Sequence, residues 1–204
     1  MPNQEENVQI NQTDTAKVAK PFDVKKEIKE WIKDLIFAVI IAVLILVFFK
    51  PIVIQQTSME PNFHAGDYVI VARQSYHLFS EPKRGDVVVF RSNLVDNNGD
   101  HKNLIKRIIG LPGDTIEILD DIVYINGEEI KEAYLASTEG SGRYKRKTLG
   151  DDEYFVMGDN RAVSVDSRSQ SLGTVTEESM IGRVVFKLFP LGDAHVVKRI
   201  KYEE

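Results

Sequence analysis

Residues 35–49 (LIFAVIIAVLILVFF) are fifteen consecutive apolar residues without a charge, and no other stretch of the chain is like them. Such a run has to leave water, into either a bilayer or a protein interior. A spanning helix wants roughly twenty residues, and the flanks supply the remainder. Trp31 and Ile32 extend the run on one side and residues 51–54 (PIVI) on the other, while Lys33 and Lys50 have stems long enough to snorkel toward headgroups. A helix over residues 31–50 would be about 30 Å long at 1.5 Å per residue, the thickness of the hydrocarbon layer. The expectation is one transmembrane helix at 31–50, a tail over 1–30 and a domain over 51–204.

The cations orient this arrangement. Lys17, Lys20, Lys25, Lys26, Lys29 and Lys33 precede the span and only Lys50 follows it closely, which keeps the N-terminus cytoplasmic and puts the domain outside. A cleavable secretory leader is the rival reading, but the run lies far into the chain and KPIVIQQTS offers no small-x-small cleavage site. A buried core helix is the other rival. Residues 1–20 are polar and poor in aromatics, as in a disordered tail. The net charge of -5, from 26 Lys and Arg against 31 Asp and Glu, gives no basic field for nucleic acid. The absence of cysteine excludes disulfides, thiolate chemistry and Cys-based zinc sites. His64, His77, His101 and His195 lack metal-ligand spacing, so neither a metal nor another cofactor is expected.

From Ile52 onward the pattern is β. YVIVAR (68–73), VVVFR (87–91), TIEIL (115–119) and IVYIN (122–126) are rich in β-branched and aromatic residues. Gly-Asp pairs at 66–67, 85–86, 113–114, 150–151 and 158–159 punctuate them as turns. Asn126-Gly127 marks a hairpin, because a type I′ turn needs positive φ at both central positions. The expected fold is mainly β, an antiparallel assembly partly closed into a barrel-like domain, with residues 118–152 as a hairpin-rich insertion. Residues 92–103 and 137–150 are polar and Gly-containing and are read as exposed loops or hairpin tips. The basic patch at 143–147 (RYKRK) is read as a solvated loop face, with anionic lipid headgroups as its alternative partner.

Two polar residues stand out. Ser58 lies nine residues beyond Phe49, so at about 3.3 Å per residue it is at most roughly 30 Å from the end of the span. Lys106 sits in LIKRIIG (104–110), inside what reads as a strand. Alternation puts Lys106, Ile108 and Gly110 on one face and Arg107 and Ile109 on the other, so one basic residue faces the less exposed side. Either Lys106 is an edge-strand lysine with its head in water, or it is a buried amine of lowered pKa able to take a proton from a hydroxyl.

SMEP (58–61), GDVVVFR (85–91), KRIIGLPGDTIE (106–117) and GDNRAVSVDSR (158–168) occur in an order and spacing that resemble the boxes of type I bacterial signal peptidases, in their single-span Gram-positive form. The resemblance covers nearly everything beyond the apolar run. It implies a membrane-bound serine endopeptidase that removes signal peptides from exported preproteins, recognised as extended strands with small residues before the cut. Ser58 then matches the nucleophile, Lys106 the general base, and Ser164 the hydroxyl that orients the amine. Arg107, Asp159, Asp166 and Arg168 match charged positions that brace the site, and Met59 helps line it. Some members carry a serine two residues before the nucleophile as an oxyanion donor; here that position is Gln56, whose amide, or the Ser58 N–H alone, has to serve. Asn62 replaces the usual threonine, a change expected to be tolerated. The resemblance requires no metal or cofactor. The rivals are a self-cleaving Ser-Lys repressor, a Ser-His-Asp hydrolase and an anchored scaffold without activity. A helix-turn-helix is missing for the first and a GxSxG motif for the second, and the third would have no need of Ser58, Lys106 and Ser164 together.

Overall fold

In a computed structural model the described residues are 24–73, 76, 80–200 and 202. The expected disordered tail, with Lys17 and Lys20, lies outside them. The chain divides into two units, Met1–Ile41 and Ala42–Glu204.

Helix α1 covers Val24–Phe48. It starts before residue 31 because VKKEIKE (24–30) is mostly strong helix formers. It ends at Phe48, since Pro51 supplies no N–H and Phe49 already pairs in a sheet. Trp31 and Leu35 are 75% and 65% exposed. Among the described residues this one helix, over Glu27–Phe48, is long and apolar enough to cross a membrane.

The rest of the second unit is antiparallel β. In chain order the strands are β1 Phe49–Val53, β2 Tyr68–Ala72, β3 Val87–Val95, β4 His101–Gly110, β5 Thr115–Leu119, β6 Ile122–Ile125, β7 Glu128–Glu129, β8 Tyr144–Thr148, β9 Phe155–Met157, β10 Met180–Phe189 and β11 His195–Val196. A seven-stranded sheet follows the order β1-β2-β10-β3-β4-β9, with β11 on β10. A four-stranded sheet follows β7-β6-β5-β8. Both are open paths of pairing, so the barrel closure expected from the sequence is not seen among the described residues.

Strand β4 is where the packing converges. It pairs with β3 on one side, Lys106 opposite Val88, and with β9 on the other. Residues 104–110 are all buried. Leu104 and Ile108 join a core with Val88, Phe90 and Val156. Ile105 joins another with Ile54, Met59, Val69 and Val89, and Ile109 a third with Ile116, Phe155 and Met157. Each such buried aliphatic or aromatic side chain contributes about 1.5–3 kcal/mol relative to exposure. An interior strand covered on both faces carries both of its basic residues, Lys106 and Arg107, into the protein. The edge-strand alternative for Lys106 does not hold.

The Asn126-Gly127 hairpin forms as expected, with φ of 55° and 90°. Residues 143–147 are not a loop face. They fall largely in β8, an edge strand whose charged side chains stay in water while it pairs with β5. Residues 92–103 are the far end of the β3–β4 hairpin: 92–95 belong to β3, 101–103 to β4, and 96–100 form the tip.

Candidate active site

β1 ends at Val53, and the chain closes a loop there: Ile54 N–H donates to Asp67 O at 2.9 Å and Gly66 N–H to Ile54 O at 2.7 Å. Ser58 begins the turn inside this loop, tightened by Glu60 N–H to Thr57 O at 3.2 Å and Phe63 N–H to Met59 O at 3.0 Å. Met59, fully buried, pins the turn into the core beneath.

Lys106 reaches this turn from β4. Its Nζ lies 2.6 Å from Ser58 Oγ and donates to the Ile105 carbonyl at 2.9 Å. Lys106 is 1% exposed and Ser58 5%. Burial lowers the amine pKa from 10.5 to about 8; the Asp166 and Asp159 carboxylates oppose that shift and Arg168 adds to it. The amine is thus neutral in a minority of molecules near neutrality and in most of them above about pH 8, with its lone pair within reach of a hydroxyl proton.

Arg107 points away from Lys106 and braces a second loop. Its Nε and Nη2 meet both oxygens of Asp159 at 2.8 and 2.6 Å, and Nη1 donates to Gly85 O at 3.1 Å. Asp166 accepts from Gly158 N–H at 3.0 Å and pairs with Arg168 at 2.8 Å. These bonds fix the segment 158–168 against the Ser58 turn, and Asn160 N–H closes the junction on Ser58 O at 3.0 Å. Gly158 is a close-approach glycine: a Cβ there would collide with the Ser164 side chain and the Ser58 carbonyl.

Ser164 is in the right loop, yet its Oγ is buried without a hydrogen-bond partner, and both bonds of the amine go to Ser58 and Ile105. Gln56 is exposed. It lines two adjoining clefts of about 410 and 590 Å³, which also share Gln55, Lys102 and Leu104. The smaller contains Ser58, with Val163 and Val165 on its far wall.

Three residues here escaped the sequence reading, and a fourth, Asn62, was read only as a tolerated replacement. Asn160 and Arg161 lie in the GDNRA motif but have no chemistry that singles them out. Asn62, expected to be a tolerated replacement, donates to Asp159 Oδ2 at 2.8 Å and to Tyr134 O at 3.0 Å and so links two parts of the site. Tyr134, whose ring lies 4.3 Å from the Arg107 guanidinium, left no trace in sequence.

A serine hydroxyl held against a buried, partly deprotonated amine beside an open cleft is an arrangement suited to hydrolysis. The model of the family described as signal peptidase, peptidase S26, matches residues 28–189, and the chain belongs to that family. It is a hydrolase of the signal peptidase I type. Signal peptidase I of Bacillus amyloliquefaciens is 39% identical over 159 residues, 74% of this chain and 81% of the relative. Signal peptidase I S of Bacillus subtilis (strain 168) is 38% identical over 180 residues, 83% of this chain and 93% of the relative. A solved signal peptidase I from Enterococcus faecalis V583 aligns with a TM-score of 0.40 at 34% identity, covering 50% of this chain and 96% of its own.

Proposed function

We propose that the chain cuts signal peptides from exported preproteins at the membrane surface, with Ser58 as nucleophile and Lys106 as general base. The observation that carries this reading is the 2.6 Å separation of Lys106 Nζ and Ser58 Oγ at buried positions. Neutral Lys106 takes the Ser58 proton as Oγ attacks the scissile carbonyl carbon. The ammonium gives that proton to the departing amine of the mature protein as the peptide C–N bond breaks. Water then attacks the ester, Lys106 accepts its proton and returns it to Ser58, and the signal peptide leaves with a new carboxylate. The Ser58 N–H and the Gln56 amide are the proposed oxyanion donors, and Met59 holds the turn that presents them. Arg107, Asp159, Asp166 and Arg168 brace the pair. Ser164 is proposed to orient the amine after a small rotation, which its unpartnered hydroxyl leaves open.

The preprotein would lie extended in the two clefts, with small residues before the cut facing their walls. The apolar helix supports anchoring in a lipid bilayer, with the N-terminus cytoplasmic and the β domain extracytoplasmic; residues 51–204 then act as the catalytic domain and 118–152 as its insertion. The test is cleavage of a preprotein by the detergent-solubilised chain and by Ser58→Ala and Lys106→Ala. Loss of at least about 10³-fold in each variant is expected for members of one catalytic unit. Persistent cleavage in both would overturn the assignment.

A further inference from the structure

Tyr134 lies in the segment between β7 and β8, outside the chemistry proposed above, and it touches every part of the site's frame. Its ring faces the Arg107 guanidinium at 4.3 Å. Its main-chain carbonyl accepts from Asn62 Nδ2 at 3.0 Å, and the same amide donates to Asp159 at 2.8 Å. Its hydroxyl donates to Glu132 Oε1 at 2.6 Å and lies 3.0 Å from the Tyr202 hydroxyl. Glu132 forms an ion pair with Arg161 in which both side chains are almost fully enclosed, and Arg161 Nε donates to Gly158 O at 3.1 Å. Asn62 belongs to the Ser58 turn, Arg107 follows Lys106 on β4, and Arg161 lies in the loop that caps both. One side chain and its carbonyl therefore join the three segments on which Ser58 and Lys106 depend.

We propose that Tyr134 is a positioning residue for the Ser58–Lys106 pair, acting through Arg107 and Asn62 without touching the substrate. The proposal rests on the functional reading above. Its reasoning is electrostatic as well as steric. Asp159, Asp166 and Arg168 are the charged groups that act on the amine, while Tyr134, Tyr202, Glu132, Asn62 and Arg161 surround the Arg107–Asp159 pair. Removing the ring admits water to that pair and loosens the guanidinium. Asp159 is then less neutralised and holds the proton on Lys106 more firmly, while the Ser58 turn loses alignment with the amine.

The test compares Tyr134→Ala, Tyr134→Leu and Tyr134→Phe in the full detergent-solubilised chain, with kcat, KM and the pH profile of kcat measured on one preprotein. A displacement of about 1 Å costs on the order of 10²-fold, so Tyr134→Ala should lose at least about tenfold in kcat with KM little changed. Its acid limb should move to higher pH. Tyr134→Phe, which keeps the aromatic face over Arg107 while the main-chain carbonyl is common to all three variants, should restore both. A folded Tyr134→Ala with unchanged kcat and profile would overturn the proposal, as would a loss of kcat with an unmoved pH midpoint. If the alanine variant does not fold, Tyr134→Leu against Tyr134→Phe gives the same decision; failure of both Ala and Leu to fold would make the residue merely structural and overturn it too. Wild-type protein inert toward the preprotein, or an active Ser58→Ala, would sink the functional reading and this inference together, whereas unaltered Tyr134 variants of an active chain sink this inference alone.

Discussion

An amine enclosed like that of Lys106 is a cost to the fold whenever it is charged. Folded Lys106 releases its proton near pH 8, and the unfolded chain keeps it until about 10.5. Stability therefore rises with pH across that window, and below it the enclosed charge costs about 3 kcal/mol. Lys106→Met should accordingly unfold later in urea at pH 7, by up to about 3 kcal/mol, with the advantage fading toward pH 10.5 and no cleavage remaining. In the parent chain kcat should rise with pH through a midpoint near 8; a flat profile from acid to alkaline conditions would count against the lysine base. The aspartates show how far single residues were legible. Four of the five Gly-Asp pairs read as turn punctuation also hide an ion-pair anchor: Asp67 with Lys187, Asp86 with Arg199, Asp114 with Arg84 and Asp159 with Arg107. The turns were readable because glycine and aspartate act locally. Three of the four partners are some 50 residues or more away along the chain, and sequence periodicity carries no signal over such a separation.

Among the elements, strands with local patterning were the readable ones. The β6–β7 hairpin follows from Asn126 and Gly127, and replacing both with alanine, which disfavours positive φ, should cost about 1–2 kcal/mol by urea denaturation. Residues 143–147 misled because a charged edge strand looks like a loop until a partner strand is known. β4 misled in the opposite direction: Lys106 and Arg107 suggested one wet face, whereas pairing with both β3 and β9 makes the strand interior and the cores packed on its two faces leave neither exposed. Composition cannot distinguish a strand at the edge of a sheet from one in its middle.

For the molecule as a whole, the apolar helix and the β unit make separable demands. Deleting residues 1–48 should move the chain from the membrane pellet to the soluble fraction and leave cleavage of a short water-soluble peptide measurable, because every residue of the proposed site lies beyond the deletion. Retention in the pellet would show that the β unit itself holds lipid. The enclosure of Ser58 and Lys106 imposes an order of events on the proposed chemistry. With β4 and the Ser58 turn walling off the amine, the cleft that contains Ser58 is the opening to the ester among the described residues. The water that finishes the reaction has to enter by the path the severed chain vacates, so departure of the first product gates the second half of the cycle.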